Sequence, residues 1–272
     1  MRGCVIAVLF LSLLPGAFPQ CTLTPISSAP FRASVLDVSI DGNDLWAATG
    51  YGVQLFDRTV DPPLRLASIA VPGTTRIVRA KNGIVYAGSG SSIYVVRRNG
   101  KGLEIVRAVD AGGTVNDILV ATYLFAATSN GIAHFDVIDP TSPVRTNVTF
   151  ATSGANIFSL ATANSSLYAA DGDSTVEVFS ITSPALPQKT GTLASLPRTN
   201  AVHTSGFRLY TSDGLNTEVF ISGSKASTLP VGSMSFATIG GDEHFIAGND
   251  RRVQAVDFTL PAQPVELFES EV

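Results

Sequence analysis

The side chains here with the means to do chemistry are three histidines and two aspartates in matching positions. His134, His203 and His244 are candidate imidazole bases or metal ligands, and Asp37 and Asp117 are candidate carboxylates. Each aspartate stands eight or nine residues before the bulky residue of a short apolar box, Trp46 in LWAAT or Phe125 in LFAAT. The related slots elsewhere hold Ser159 and, allowing a small slip, Arg79 and His203. If these positions line one channel, Asp37, Asp117 and His203 together form a candidate hydrolytic site. The bland role for an aspartate is to cap blade-to-blade turns by accepting backbone N–H groups, and that is the expectation for Asp37 and Asp117. The histidines fall on a third, a first and a second strand of different repeats, so they do not register on one point as metal ligands must. No catalytic residue, metal or cofactor is therefore assigned.

Other chemistry finds no support. The chain lacks a G-x-S-x-G nucleophile elbow and a G-x-x-x-x-G-K-[ST] phosphate loop. Asp171-Gly172-Asp173 and Asp41-Gly42-Asn43-Asp44 resemble calcium loops, but neither is followed by the spaced oxygen ligands and closing Glu of an EF-hand. A net charge of −4 without a basic stripe argues against a nucleic-acid partner.

The elements that must position these residues repeat. Apolar boxes recur as LWAAT, VYAGS, LFAAT, LYAAD, LYTSD and FIAGN, with Trp46, Tyr86, Phe125, Tyr168, Tyr210 and Ile246 spaced 40, 39, 43, 42 and 36 residues apart. A period near forty with four short strands per unit is the signature of a propeller blade. Each unit reads as an apolar first strand, a turn rich in Gly, Asn, Asp or Ser, the box, a second turn and a third strand such as VQLFD or IAHFD. A proline-bearing link follows, as at Pro140 and Pro143, and it makes the fourth strand outermost because proline has no N–H for a ladder. The fold class expected is all-β, a propeller of six four-stranded blades over residues 33–272, with seven blades the alternative.

The N-terminus carries Arg2, an apolar run over residues 5–14 and then Pro15-Gly16-Ala17, which reads as a secretory signal peptide over residues 1–20. Residues 21–32 form an N-terminal segment in which TLTPISS, residues 22–28, is a candidate ring-closing strand. Cys4 leaves with the signal, and Cys21 is the remaining thiol. Gln20 before Cys21 fits a lipoprotein signal poorly, so lipid anchoring there is not expected. An extracytoplasmic domain with no integral span after cleavage follows.

The stretch DVIDPTSPV, residues 136–144, with its degenerate copies along the chain, resembles the LVIVD repeat of bacterial and archaeal cell-surface propellers, and more distantly WD-repeat and YVTN-like propellers. RRNGKG from Arg97 departs from that pattern. The resemblance implies a six- or seven-bladed propeller with no family-wide catalytic residues. The leading expectation is thus a secreted, periplasmic or cell-surface, non-enzymatic scaffold that binds an envelope or extracellular protein or a glycan. The alternative is a small metal-dependent, lactonase-like hydrolase with a channel site at Asp37, Asp117 and His203.

Overall fold

The computed structural model describes residues 34–150, 152, 156–230, 232, 235–239, 243–247, 252–257, 260 and 262–271. The signal segment, Cys21 and the candidate closing strand at residues 22–28 lie outside the described residues. Every regular element among the described residues is a strand. The first sheet has seven strands in chain order, β1 (Asp37–Asp41), β2 (Asp44–Ala48), β3 (Gly50–Asp57), β4 (Leu64–Lys81), β5 (Ile84–Ser89), β6 (Ser92–Asn99) and β7 (Gly102–Asp110). The second holds β8 (Val115–Val120), β9 (Leu124–Thr128), β10 (Gly131–Asp136) and the short β11 (Val144–Arg145). The third holds β12 (Ser159–Ala163), β13 (Ser166–Ala170), β14 (Thr175–Ser180) and β15 (Gln188–Ala194). The fourth holds β16 (Ala201–Ser205), β17 (Arg208–Ser212), β18 (Thr217–Ile221) and β19 (Ser224–Leu229). The last holds β20 (Ser235–Ile239), β21 (Glu243–Ala247), β22 (Arg252–Asp257) and β23 (Val265–Glu271). All pairings are antiparallel. The long β4 is outermost to β3 over its first half and innermost to β5 over its second.

The repeat read from sequence is the repeat of these meanders. Tight turns after the innermost strands use residues with positive φ, among them Asn82 at 53° and Asn164 at 49°, because a short polar side chain tolerates the left-handed region. The boxes become β2, β5, β9, β13, β17 and β21. The side chains of β2, β5, β9, β13 and β17 are largely buried on both faces, most completely in β9 and β17, because each sheet packs against the next. Trp46, Tyr86, Phe125 and Tyr210 are each at most 1% exposed. Tyr168 differs: it is half-buried beside a cavity of about 120 Å³ bordered by Leu193, Phe207, Leu209 and Phe220.

The core is divided among the spaces between successive units. Trp46, Val53, Val78 and Val85 join the first to the second, Tyr86, Ile93, Ile118 and Phe135 the second to the third, and Phe125, Ile157, Leu160 and Phe179 the third to the fourth. Close approach needs small residues after the aromatic. A Cβ on Gly88 would stand 2.8 Å from a Val115 methyl. The outer strands share a β-bulge, seen at Leu55/Phe56, Val95/Val96, Val178/Phe179, Val219/Phe220 and Ala255/Val256. A bulge in that place adds twist and turns the outer strand away from a flat, exposed edge.

The proline link has a packing role. Asp136 and Asp139 fold it by accepting the N–H groups of Ile138 and Thr141 at 2.8 and 2.9 Å. The preceding unit then holds it, with Tyr86 Oη donating to the Pro140 carbonyl at 2.9 Å and Arg107 Nη1 to Ser142 Oγ at 2.7 Å. Burial, with the Asp139 charge nearby, pushes the Tyr86 phenol up to about 12. Urea denaturation should give a loss of about 3–5 kcal/mol for Phe125→Ala and about 1–2 kcal/mol for the half-buried Tyr168→Ala. Tyr86→Phe, which removes one hydrogen bond, should cost about 1 kcal/mol.

Candidate functional site

The innermost strand of each unit has a strand neighbour on one side only. Half of its backbone groups therefore face away from the ladder and need other partners. Side chains of the preceding unit supply them. Val78 N–H donates to Asp37 Oδ2 at 2.9 Å, Ala80 N–H to Ser39 Oγ at 2.9 Å and Gly83 N–H to Asp41 Oδ2 at 2.6 Å. Leu160 N–H donates to Asp117 Oδ2 at 3.0 Å, and Val202 N–H to Ser159 Oγ at 3.3 Å. In the second unit the matching slot is Ile77, which cannot accept. There Asp117 serves its own strand, taking Ile118 N–H on Oδ1 at 2.8 Å.

Strand pairing defines the slots. Asp37, Asp117 and Ser159 lie opposite Ala48, Ala127 and Ala170, each two residues after the aromatic anchor. Arg79 and His203 lie opposite the anchors Tyr86 and Tyr210 themselves. They belong to a second slot two residues further along the strand, a larger offset than the small slip expected. The sequence signal was available, since both stand seven residues before their anchors.

Arg79 is the centre of the belt. Its Nη1 donates to Asp37 Oδ2 at 2.5 Å and to the Val78 carbonyl at 2.8 Å, and its Nη2 to Asp117 Oδ1 at 2.8 Å. One guanidinium thus ties the first, second and third units, a span that residues on the innermost strands cover only around a common axis. Burial pushes the Asp37 carboxyl up, outweighing the pull of Arg79 and of the Val78 N–H. Burial works against the Arg79 charge too, but the two carboxylates together hold that guanidinium above its ordinary value.

The rim where the innermost strands begin adds residues that the sequence did not single out. Arg76 and Asn116 sit at bulges between Thr75 and Ile77 and between Val115 and Asp117. Arg76 is exposed, and Asn116 Nδ2 bridges to Asn156 Oδ1 at 2.8 Å and to the Ile157 carbonyl at 2.7 Å.

The histidines are not brought together. His134 is 1% exposed, stacked on Tyr123 with ring centroids 4.6 Å apart and bonded through Nδ1 to Thr146 Oγ1 at 2.7 Å. Burial holds its pKa below the ordinary value, against smaller opposing pulls from the Pro184 backbone and the Asp136 charge. His203 lies on β16 beside Tyr210, with ring centroids 6.3 Å apart, and burial lowers its pKa as well. His244 is on β21, with its side chain outside the described residues. Among the described residues no three His, Cys, Asp or Glu side chains group as a metal site would require.

Among solved structures, the chain is similar to the periplasmic gluconolactonase PpgL of Pseudomonas aeruginosa, with a TM-score of 0.74 and 15% identity, over 92% of this chain and 88% of that one. It is similar also to a Bacteroides fragilis protein assigned as a 6-phosphogluconolactonase, with a TM-score of 0.77 and 17% identity, over 91% of this chain and 86% of that one. The fold is an all-β propeller fold. No family model and no curated protein matches the chain. Both neighbours bear lactonase names. That likeness overturns the expectation of a non-enzymatic binding scaffold. No helix among the described residues is long and apolar enough to cross a membrane.

Two variants test the belt. Asp117→Ala strands the Leu160 and Ile118 N–H groups and half of the Arg79 clamp, and should cost about 3 kcal/mol in urea denaturation. Because the Asp37 pKa is raised, the folded state holds that proton more tightly than the unfolded chain. Its contribution to stability is present at low pH and is lost as pH rises through the shifted value. Asp37→Asn, which keeps an oxygen for Val78 N–H, should remove that component and change the slope of stability against pH above the ordinary carboxylate value of 3.8.

Proposed function

We propose that this chain is an extracytoplasmic propeller hydrolase that opens sugar lactones, with its site in the channel lined by the innermost strands. The observation that carries the reading is the belt in which Arg79 is fixed between Asp37 and Asp117, in a fold shared with two proteins named for lactonase activity. The N-terminal apolar segment and the periplasmic neighbour support export.

Arg79 and His203 take the working roles because they occupy the same slot on the second and fifth innermost strands. Burial keeps His203 neutral near pH 7, the form a general base requires. It accepts a proton from water as the water oxygen attacks the lactone carbonyl. An Arg79 N–H beyond the three that bond Asp37, Val78 and Asp117 donates to the oxyanion that forms. Collapse breaks the ring C–O bond, the proton passes to the departing ring oxygen, and the product is the open hydroxy acid. Asp37 and Asp117 are positioning residues, holding the guanidinium while joining the units.

The ring is proposed to have six blades. Five apolar clusters lie between successive units, the last formed by Tyr210, Val219, Leu229 and Val256. Closure would cover Leu36, Val38 and Ile40, which stand 48, 49 and 55% exposed on the free side of β1.

Titration of acid release at constant pH, corrected for spontaneous opening, should show the purified chain accelerating glucono-δ-lactone hydrolysis. His203→Gln should lower kcat by about 10²- to 10⁴-fold. The acid limb of kcat/KM should lie below the ordinary imidazole value of 6.5, since activity is lost as His203 gains its proton. No acceleration over a panel of sugar lactones would overturn the assignment.

A further inference from the structure

The belt also bears on which lactone could enter, an inference that rests on the hydrolase reading above. Both terminal nitrogens of Arg79 are engaged, Nη1 by Asp37 and the Val78 carbonyl and Nη2 by Asp117. One guanidinium against two carboxylates leaves the belt at −1. Arg76, exposed at the start of the same innermost strand segment, and Lys81 near its end, set against Asp41 on β1, bring the sum only to zero. A phosphate monoester carries about −1.5 to −2 near pH 7, and such a charge is tolerated in a partly buried site only when unpaired cations meet it. An uncharged sugar lactone has no such need. Its hydroxyls want acceptors, and the described bonds to Asp37 all fall on Oδ2, leaving Oδ1 to accept one.

We propose that Asp37 and Asp117 are specificity determinants that offset the Arg79 charge, while leaving it N–H groups to donate, and so select uncharged sugar lactones over phosphorylated ones. The two solved neighbours are named for one of each kind, and here the side-chain charges favour the first.

The test compares kcat/KM of the full chain on glucono-δ-lactone and on its 6-phosphate. The uncharged lactone should be favoured by about tenfold or more. Asp117→Asn keeps an oxygen for Leu160 N–H but removes a charge, and should shift the ratio toward the phosphorylated lactone by about threefold or more. Equal or better turnover of the phosphorylated lactone by wild type would overturn the selection while leaving lactone hydrolysis standing, as would an unchanged ratio in a folded Asp117→Asn. If neither lactone is turned over, the hydrolase reading fails and product binding decides the selection. Thermal shift by gluconate exceeding that by 6-phosphogluconate, with the difference narrowed in Asp117→Asn, would uphold it. The reverse order, or no shift by either, would sink it.

Discussion

The constraint on which this structure depends is the unpaired edge of each innermost strand. A sheet whose first strand faces a channel leaves alternate N–H groups without ladder partners, and buried donors of that kind are costly. The chain answers with side chains reaching forward from one unit to the next, so that Asp37 meets Val78, Asp117 meets Leu160 and Ser159 meets Val202. These bonds satisfy the edges and set the height at which neighbouring sheets meet. The apolar clusters between sheets then pack in a fixed register.

The same device brings charge to the centre. An acceptor on an innermost strand places a carboxylate near the axis, and two such carboxylates create a place where a guanidinium is stable. The Arg79 side chain is about one-third exposed, and a carboxylate from the unit on each side fixes its guanidinium. A structural need and a chemical opportunity thus use the same atoms. The aspartates are neither idle turn caps nor a free acid–base pair, since both hold Arg79 and a backbone N–H of the next unit before any substrate arrives.

Outward from the axis the load passes to the aromatics and the proline links. Tyr86 fills the space between the second and third units and also holds the Pro140 carbonyl. The link that cannot join a ladder is therefore tied down by the neighbouring unit. The bulge shared by the outer strands has a different cause: it lies where the edge needs twist, whatever the local sequence.

The sequence by itself determined the repeat. Hydrophobic boxes at a forty-residue period, Gly and Asn turns and proline links all act within a few residues of chain, so their positions are legible in order. Asp37 and Asp117 were recognisable as partners because they share a slot. Only the tertiary structure decided what they do. The carboxylates meet Arg79 from units on either side of it, about forty residues away in each direction, and whether its side chain turns to both depends on how three sheets pack about an axis. His134 shows the converse: a residue type that suggests chemistry is stacked on Tyr123 and bonded to Thr146, because the contacts between the third and fourth units close over it. Local pattern sets where strands begin and turn, while charge and burial at the axis come from contacts between units that no local pattern encodes.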